Sequence, residues 1–421
     1  MISWLKITLV CGIIVLVAEV AQAKDAGTCR IGVTQHYGID EGTPQETLSI
    51  MKQAGFNSFR AGAEWNLMEK DGKLVNIPGN LTAAVAQAGN MEPLVILAYS
   101  AKTINNRYPW RPEDAEKFND YVRFVMRQFK DNVRYYQVWN EWDYGTGMDQ
   151  KIGGENSAEN YVAFLKQVAP IIRAENQKAI ILANSVCTKD EFLFETFKAG
   201  VLDYCDAYTI HVYDNFGTPE HVLKRLLRCS EESKKYNSGI PKDFYVTEMS
   251  WPVSPDSVDA EQQADYLARF GLLCKTVPGF RGIWWYSFNE RGYDWKRQGL
   301  FFGTVMTDFS PKPAYFAYQS IAPILKESLF LRRITCDVPG THLLLFQMPD
   351  GQQVLAAWTE REDTRVRLVL DRNGADTDTV DYVLCGSPVL KRHWGFRDQY
   401  IVQRDKPYME LCENLIMSQI L

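Results

Sequence analysis

An alternation of strand-like and helix-like segments runs from Cys29 to about Ile321, and it constrains the fold more than any other feature of this chain. The strand-like segments are short and rich in apolar and aromatic residues. They occupy residues 29–38, 56–65, 92–100, 133–142, 178–186, 206–214, 243–251 and 282–290. Between them, apolar residues recur at spacings of three and four, as in amphipathic helices. These helical patterns are clearest at 44–54, 112–130, 158–174, 219–235, 259–275 and 312–321.

Eight strands, each followed by a helix, within about 300 residues predict a (β/α)8 barrel. A doubly wound open sheet is the alternative fold. That fold usually carries a Gly-rich phosphate-binding turn after its first strand. The segment "VTQHYGIDEG" that follows the first predicted strand here is not such a turn.

After about Pro323 the pattern changes to short strand-like runs separated by the turns "PDG", "DRNGADTD" and "GSP". Short strands with frequent turn residues are typical of antiparallel β structure. The sequence therefore predicts a barrel over residues 24–327 and a small antiparallel β-sandwich over residues 328–421.

The first 23 residues have the pattern of an export signal. Lys6 precedes an apolar run from Ile7 to Ala18, and Ala21-Gln22-Ala23 is a small-x-small cleavage site before Lys24. The apolar run is shorter than the roughly 20 residues of a membrane-spanning helix. We therefore expect an exported protein, periplasmic or secreted, without stable membrane insertion. An uncleaved anchor is the alternative.

Composition excludes several classes of function. The net charge of -6 gives no basic surface for nucleic acid. Eight cysteines remain after the leader, but none form a CxxC pair, so neither a zinc site nor a thioredoxin-type site is indicated. The sequence also has no HExxH, GxSxG or P-loop pattern. We expect no metal and no cofactor. Export would permit disulfides, whose connectivity stays open.

Polar and charged residues gather where the predicted strands end. In a (β/α)8 barrel the active site forms at the C-terminal ends of the strands, so these residues should meet in one pocket. The candidates are His36 after the first strand, Arg60 on the second, Asn140 and Glu141 after the fourth, His211 and Tyr213 on the sixth, Glu248 on the seventh and Trp285 on the eighth.

Two of these candidates, Glu141 and Glu248, are carboxylates that should face each other across the barrel mouth. Cleavage of a glycosidic bond needs such a pair, since one acid donates a proton and the other attacks carbon or activates water. Arg60 and Tyr213 should keep Glu248 charged. Partial desolvation by the flanking Trp142 should raise the pKa of Glu141.

The combination of "WNE" after strand four, "TE" at the end of strand seven, "HVY" on strand six and "WW" on strand eight resembles the clan A retaining glycoside hydrolases. The arginine on strand two fits the same pattern. The C-terminal sandwich resembles the accessory domain of family 39, which includes xylosidases, iduronidases and bacterial exopolysaccharide endoglycosidases.

This resemblance implies that Glu141 is the acid/base and Glu248 the nucleophile of a double displacement. The two carboxyl groups would then lie about 5–5.5 Å apart. It also implies that Asn140 binds the sugar 2-hydroxyl and that Trp285, rather than Trp284, is the stacking floor. The expected substrate-binding residues are Asn140, Arg60, His211, Tyr213 and Trp285, with His36 and Trp142 as further candidates.

The sequence thus predicts an O-glycosyl hydrolase acting on a polysaccharide or oligosaccharide with β linkages. Endo-acting cleavage of a bacterial exopolysaccharide is the first hypothesis. An exo-acting β-xylosidase-like enzyme is the alternative within the same class. A carbohydrate-binding barrel without activity is the alternative from another class, and the presence of both carboxylates argues against it.

Overall fold

The protein is described by a computed structural model. The chain forms two compact units, and the boundary between them along the sequence falls between Glu327 and Ser328. The described residues are 29–401 except 38–39, 41, 78, 149–154, 187–189, 214–216, 291–300, 337, 361–363, 373–375 and 394–395. The expected leader, residues 1–23, lies outside this part of the chain.

The first unit contains a closed barrel of eight parallel strands in the order β1-β8-β7-β6-β5-β4-β3-β2. Its strands are β1 Arg30–Thr34, β2 Ser58–Glu64, β3 Leu94–Ala98, β4 Tyr135–Val138, β5 Ile180–Val186, β6 Ala207–His211, β7 Phe244–Glu248 and β8 Phe280–Trp285. The closed parallel barrel confirms the predicted fold class and excludes the open sheet.

One major helix follows each strand of the barrel. These helices are α1 Pro44–Gln53, α2 Gly79–Gln87, α3 Pro112–Phe129, α4 Ala158–Glu175, α5 Asp190–Lys198, α6 Pro219–Lys234, α7 Ala260–Cys274 and α8 Pro313–Glu327. The apolar spacing predicted six of them and missed α2 and α5. Both missed helices have nine residues, so the helical period repeats too few times to stand out.

Local side-chain chemistry fixes where several helices begin. At four N-caps, a hydroxyl or carboxylate accepts a hydrogen bond from the backbone N–H three residues on, which satisfies a donor that the helix leaves unpaired. The four caps are Thr43, Ser157, Thr218 and Asp259. Proline occupies the first position of α1, α3 and α6, where its missing N–H costs nothing.

A layer of side chains closes the lower part of the barrel. The Trp284 ring lies over Gly32, where an added Cβ would sit 2.5 Å from Trp284 Cδ1, and only glycine leaves that space. Trp284 Nε1 also donates to Ser58 Oγ at 2.9 Å. Because side chains alternate along a strand, Arg60 points into the barrel one layer above Ser58, and Trp285 points away from the interior.

The second unit is antiparallel. Its strands are β9 Leu329–Arg333, β10 Thr341–Gln347, β11 Gln353–Thr359, β12 Thr364–Arg372, β13 Asp376–Leu384, β14 Val389–His393 and β15 Phe396–Ile401. They form a four-stranded sheet, β9-β10-β11-β14, and a three-stranded sheet, β13-β12-β15. Leu384 from the second sheet packs with Leu343, Leu345 and Leu355 from the first. The predicted antiparallel sandwich is therefore confirmed.

Four cysteines of the barrel, Cys29, Cys205, Cys229 and Cys274, are buried free thiols. Burial raises the pKa of Cys29 to about 11 and that of Cys205 to about 12, so both remain neutral thiols at neutral pH. Cys187 and Cys412 lie outside the described residues. Among the described residues, none of the helices combines the length and the apolar character needed to cross a membrane.

Candidate active site

Six of the side chains that the sequence singles out come together at the C-terminal ends of the barrel strands. Strand topology explains this, because the ends of parallel strands share one rim. The six are Arg60 in β2, Asn140 and Glu141 in the turn after β4, His211 at the end of β6, Tyr213 two residues later and Glu248 at the end of β7.

Arg60 lies at the centre of this group and is only 1% exposed. Its Nη1 donates to Glu248 Oε1 at 2.6 Å, and its Nη2 donates to Asn140 Oδ1 at 2.6 Å. Its Nε donates to Gln137 Oε1 at 3.0 Å. A planar guanidinium has its donors in a fixed fork, so one buried cation sets the positions of three acceptors.

Glu248 is held through both of its oxygens. Oε1 accepts from Arg60, and Oε2 accepts from the Tyr213 hydroxyl at 2.7 Å. Burial, together with the charge of Glu248, raises the pKa of Tyr213 well above its usual value. Tyr213 therefore keeps its proton and acts as a donor. Two donors aimed at the oxygens match the requirements of an ionised carboxylate, which can only accept.

Glu141 lies beside this network and is partly accessible, with 13% of its side chain exposed. Its Oε1 is 2.8 Å from His211 Nδ1, and its Oε2 accepts from Thr146 Oγ1 at 2.9 Å. His211 Nδ1 also lies 3.7 Å from Glu248 Oε2, so the imidazole sits between the two carboxylates. The geometry gives Glu141 and Glu248 different surroundings, as an acid and a nucleophile require.

The two carboxylates are close together. One oxygen of Glu141, one oxygen of Glu248 and His211 Nδ1 all lie within 4.8 Å of one another. Two carboxylates and an imidazole are also groups that bind metal ions. Here, however, the carboxylate oxygens already accept hydrogen bonds from Arg60, Tyr213 and Thr146, and a guanidinium beside the site disfavours a second cation.

The backbone after β4 is strained where it carries Glu141. Trp139 has φ 71° and Glu141 has φ 49°, a left-handed conformation that side chains other than glycine rarely adopt. The turn is held because the Glu141 carbonyl accepts from the backbone N–H groups of Tyr144 and Gly145. This turn directs Asn140 and Glu141 into the barrel mouth. Strain of this kind is concentrated at functional sites.

Two tryptophans expected at the site are not part of it. Trp142 is 1% exposed and packs against Tyr108, with ring centroids 4.2 Å apart, so it belongs to the aromatic core around α3 and α4. Trp285 is fully buried, and its Nε1 donates to the Phe302 carbonyl at 3.0 Å. The predictions that Trp142 and Trp285 bind substrate are therefore wrong, because side chains buried in the core offer no face to a sugar.

Tyr286, one residue beyond Trp285, lies at the rim, where Trp285 was expected. It is half-buried, and its ring lies 6.2 Å from that of Tyr213 and 5.8 Å from that of His36. His36 is therefore at the rim, as expected from the sequence. Alternation along β8 could have identified Tyr286, since it should share the inward side of Trp284. Tyr286 therefore lies at the rim beside Tyr213 and His36, where its ring could contact a ligand in the barrel mouth.

Three further residues support the site without having been predicted. Gln137 accepts from Arg60, and Tyr99 accepts from Asn140 Nδ2 at 3.1 Å. Thr146 donates to Glu141. Gln137 could have been found as the one polar residue in the apolar strand "YYQV". Thr146 gives no sequence signal, because its contact depends on how the loop after Glu141 turns back.

Comparison with known proteins identifies proteins that are similar to this chain in sequence and in fold. The family model for cellulase, glycosyl hydrolase family 5, matches residues 21–240, which is a little over half of the chain. Beta-glucosidase 24 of Oryza sativa subsp. japonica is 31% identical over 116 residues, or 24% of this chain. The match spans 23% of that relative, about a quarter of its length.

Solved structures share the fold over most of the chain. A family 39 glycoside hydrolase from Bacteroides cellulosilyticus WH2 is similar over 89% of this chain and 80% of its own, with 22% identity and a TM-score of 0.69. A monomeric beta-xylosidase from Caulobacter crescentus CB15 is similar over 87% of this chain and 95% of its own, with 15% identity and a TM-score of 0.58.

The fold likeness to a family 39 enzyme agrees with the resemblance read from the sequence, while the family whose model matches is family 5. The predicted assignment to the clan A glycoside hydrolases is confirmed. This chain belongs to the cellulase family, glycosyl hydrolase family 5.

Proposed function

We propose that this protein hydrolyses O-glycosidic bonds with retention of anomeric configuration, with Glu141 as acid/base and Glu248 as nucleophile. The spacing of the two carboxylates carries the proposal. Oxygens of the two groups lie within 4.8 Å of each other. Retaining enzymes hold their carboxyl groups about 5–5.5 Å apart, whereas inverting enzymes need about 6.5–9.5 Å to admit a water molecule.

In the first step a Glu248 oxygen attacks the anomeric carbon while the bond from that carbon to the leaving oxygen breaks. Glu141 gives its proton to the leaving oxygen, and the product is a glycosyl ester on Glu248. Arg60 and Tyr213 hold Glu248 in place for this attack. Asn140, fixed by Arg60 and Tyr99, is positioned to bind the sugar 2-hydroxyl.

In the second step Glu141, now a carboxylate, takes a proton from water. The water oxygen attacks the same carbon, and the bond from carbon to Glu248 breaks, which restores both side chains. His211 and Thr146 contact the two oxygens of Glu141 and limit its rotation through both steps. Positioned acid–base groups of this kind contribute about 10²–10⁴-fold to a rate.

The substrate we propose is a β-linked polysaccharide or oligosaccharide, cleaved outside the cytoplasm after export of the protein to the periplasm or the medium. Relatives named as a beta-glucosidase and a beta-xylosidase support β linkages. The leader pattern supports export. Internal cleavage of a bacterial exopolysaccharide is our first hypothesis, and exo-acting removal of single sugars such as xylose is the alternative.

The test is covalent trapping with a panel of 2-deoxy-2-fluoro-glycosides that carry a good leaving group. We expect mass spectrometry of the digested protein to find the fluorosugar on Glu248, and the accepted glycoside to identify the sugar. Glu248→Ala is the control and should remain unlabelled. Labelling at another carboxylate, or none across the panel, would refute the proposed roles.

A carbohydrate-binding barrel without activity is distinguished by the same trapping experiment. Such a protein would bind saccharides yet form no ester with the fluorosugar. Both carboxylates, the arginine that holds Glu248 and the tyrosine beside it are all in place, which favours the enzyme.

A further inference from the structure

A side chain of α6 holds the main chain at the end of β6. Arg225 Nη1 donates to the His211 carbonyl at 3.3 Å. On one side of β6, the ladder with β5 ends at Ile210 among the described residues, one residue before His211. On the other side, the Val212 N–H donates to the Glu248 carbonyl at 3.2 Å. The guanidinium therefore gives the carbonyl at this strand end the donor that a buried main-chain group needs.

Arg225 is itself fixed by Asp190, the first residue of α5. Its Nε donates to Asp190 Oδ1 at 2.5 Å, and Asp190 is only 5% exposed. Arg228 also belongs to α6 and donates to Asp190 Oδ2. Residues three apart on a helix share one face, so a single buried carboxylate contacts both guanidinium groups. The planar Arg225 group is thus bound at two of its nitrogens, which sets its orientation.

His211 connects this restraint to the proposed acid/base. Its side chain is completely buried, and its Nδ1 lies 2.8 Å from Glu141 Oε1. The distance from the same nitrogen to Glu248 Oε2 is longer, 3.7 Å. A shift of the His211 main chain would therefore disturb the contact with Glu141 first. Misplacing a catalytic group by about 1 Å can cost about 10²-fold in rate, even when the altered residue is remote.

We propose that Arg225 is a positioning residue for proton transfer by Glu141, on which it acts through the main chain of His211. The inference rests on the proposed function and adds to it a residue that does not contact the reacting atoms. Its effect should fall on proton donation to the leaving oxygen. Attack by Glu248 should change little, because Arg60 on β2 holds that carboxylate independently of α6.

The experiment compares two leaving groups on one sugar, which is taken from the glycosides that label Glu248. Dinitrophenolate can leave without a proton, whereas phenolate depends on the general acid. The measure is kcat/KM, because it covers only the steps up to the glycosyl ester. We expect Arg225→Met to lower kcat/KM about tenfold to a hundredfold on the phenyl glycoside, and less than about threefold on the dinitrophenyl glycoside.

Arg228→Met is the matched control. It removes the other guanidinium from the same carboxylate and leaves the bond to the His211 carbonyl in place. The ratio of the two kcat/KM values should therefore stay as in the unchanged protein. Arg225→Lys is a second variant for the case that Arg225→Met does not fold. It keeps a cation beside Asp190 but lacks the fork of donors that reaches both acceptors, so the ratio should change in the same direction.

Three results would overturn the proposal. They are an equal fall on both glycosides, an unchanged ratio in the Arg225 variant that folds, and the same change of ratio in Arg228→Met. The proposed function fails differently, because the unchanged protein would then cleave neither glycoside and no reagent would label Glu248. The two failures are therefore distinguishable.

Discussion

At the scale of single residues, Arg60 organises the site by donating to Glu248, Asn140 and Gln137 at the same time. Lysine at this position would have one nitrogen and could not reach three acceptors that lie in different directions. The arginine also compensates the charge of Glu248 in a place that is closed to solvent. One buried cation therefore fixes the position of Glu248, the proposed nucleophile, and lies beside its carboxylate.

The hydroxyl of Tyr213 should matter for the rate and little for the fold. Tyr213→Phe removes the donor to Glu248 Oε2 and keeps the ring. A hydrogen bond to a charged group contributes about 1.5–3 kcal/mol, so we expect kcat/KM on an aryl glycoside to fall about tenfold to a hundredfold. Tyr236→Phe, at an exposed tyrosine on the outside of the barrel, is the control. Equal activity of the two variants would contradict the assigned contact.

At the scale of elements, a buried ion pair joins the helices α6 and α7. Arg269 donates to both carboxylate oxygens of Glu220, and both side chains are almost fully buried. Arg269→Met leaves that carboxylate buried without the guanidinium. Such a loss costs about 3–5 kcal/mol, which should appear as a lower free energy of unfolding in urea.

The pair Glu232–Lys235 at the end of α6, whose lysine is exposed and whose glutamate is half-buried, provides the matched control. Lys235→Met should have no measurable effect on the urea midpoint, because exposed pairs are screened by water. Equal effects of Arg269→Met and Lys235→Met would show that burial does not determine the contribution of the inner pair.

The connection from β8 to α8 contains a second buried pair, Glu290 with Lys312. Burial raises the pKa of Glu290 above its ordinary 4.5, and Lys312 offsets only part of that effect. The folded protein therefore keeps this proton to a higher pH than the unfolded chain does. The stability that Glu290 contributes is complete below pH 4.5 and is lost as the pH rises through the folded pKa.

Glu290→Gln cannot ionise and should not show this loss. We expect the Tm of the Glu290→Gln variant, relative to the Tm of the unchanged protein, to increase as the pH is raised from about 4 to about 7. Thermal unfolding followed by circular dichroism at several pH values measures the difference. A difference that stays constant or decreases with pH would contradict the raised pKa.

At the scale of the whole molecule, the order of the elements could be predicted because the barrel repeats one simple pattern. The candidate site followed from the same pattern, since Arg60 lies on β2, Glu141 follows β4 and Glu248 ends β7. Side-chain direction was harder to predict. Trp142 and Trp285 lie close to the strand ends in the sequence, yet both point into the core. The end of a strand in the sequence predicts which segment lies at the barrel mouth. It does not predict which of two neighbouring residues points into that mouth.

Cleavage of the N-terminal segment, residues 1–23, also concerns the whole molecule, and it stays a prediction. We expect protein recovered from the periplasm of a bacterial host to begin at Lys24, because signal peptidase cleaves after the small residue Ala23. Intact mass spectrometry measures the new terminus. Ala23→Leu should block cleavage and serves as the control. Exported protein that retains Met1 would indicate an anchor instead.

The left-handed main chain at Glu141 bears on how this barrel would change if its chemistry were lost. Glycine would occupy that position with no steric penalty, and a non-Gly residue there costs of order 1–3 kcal/mol. A glycine at this position would relieve that strain, but it would also remove the carboxylate to which we assign the proton transfer. Any change that stabilises the turn by this route would therefore be expected to cost the proposed activity.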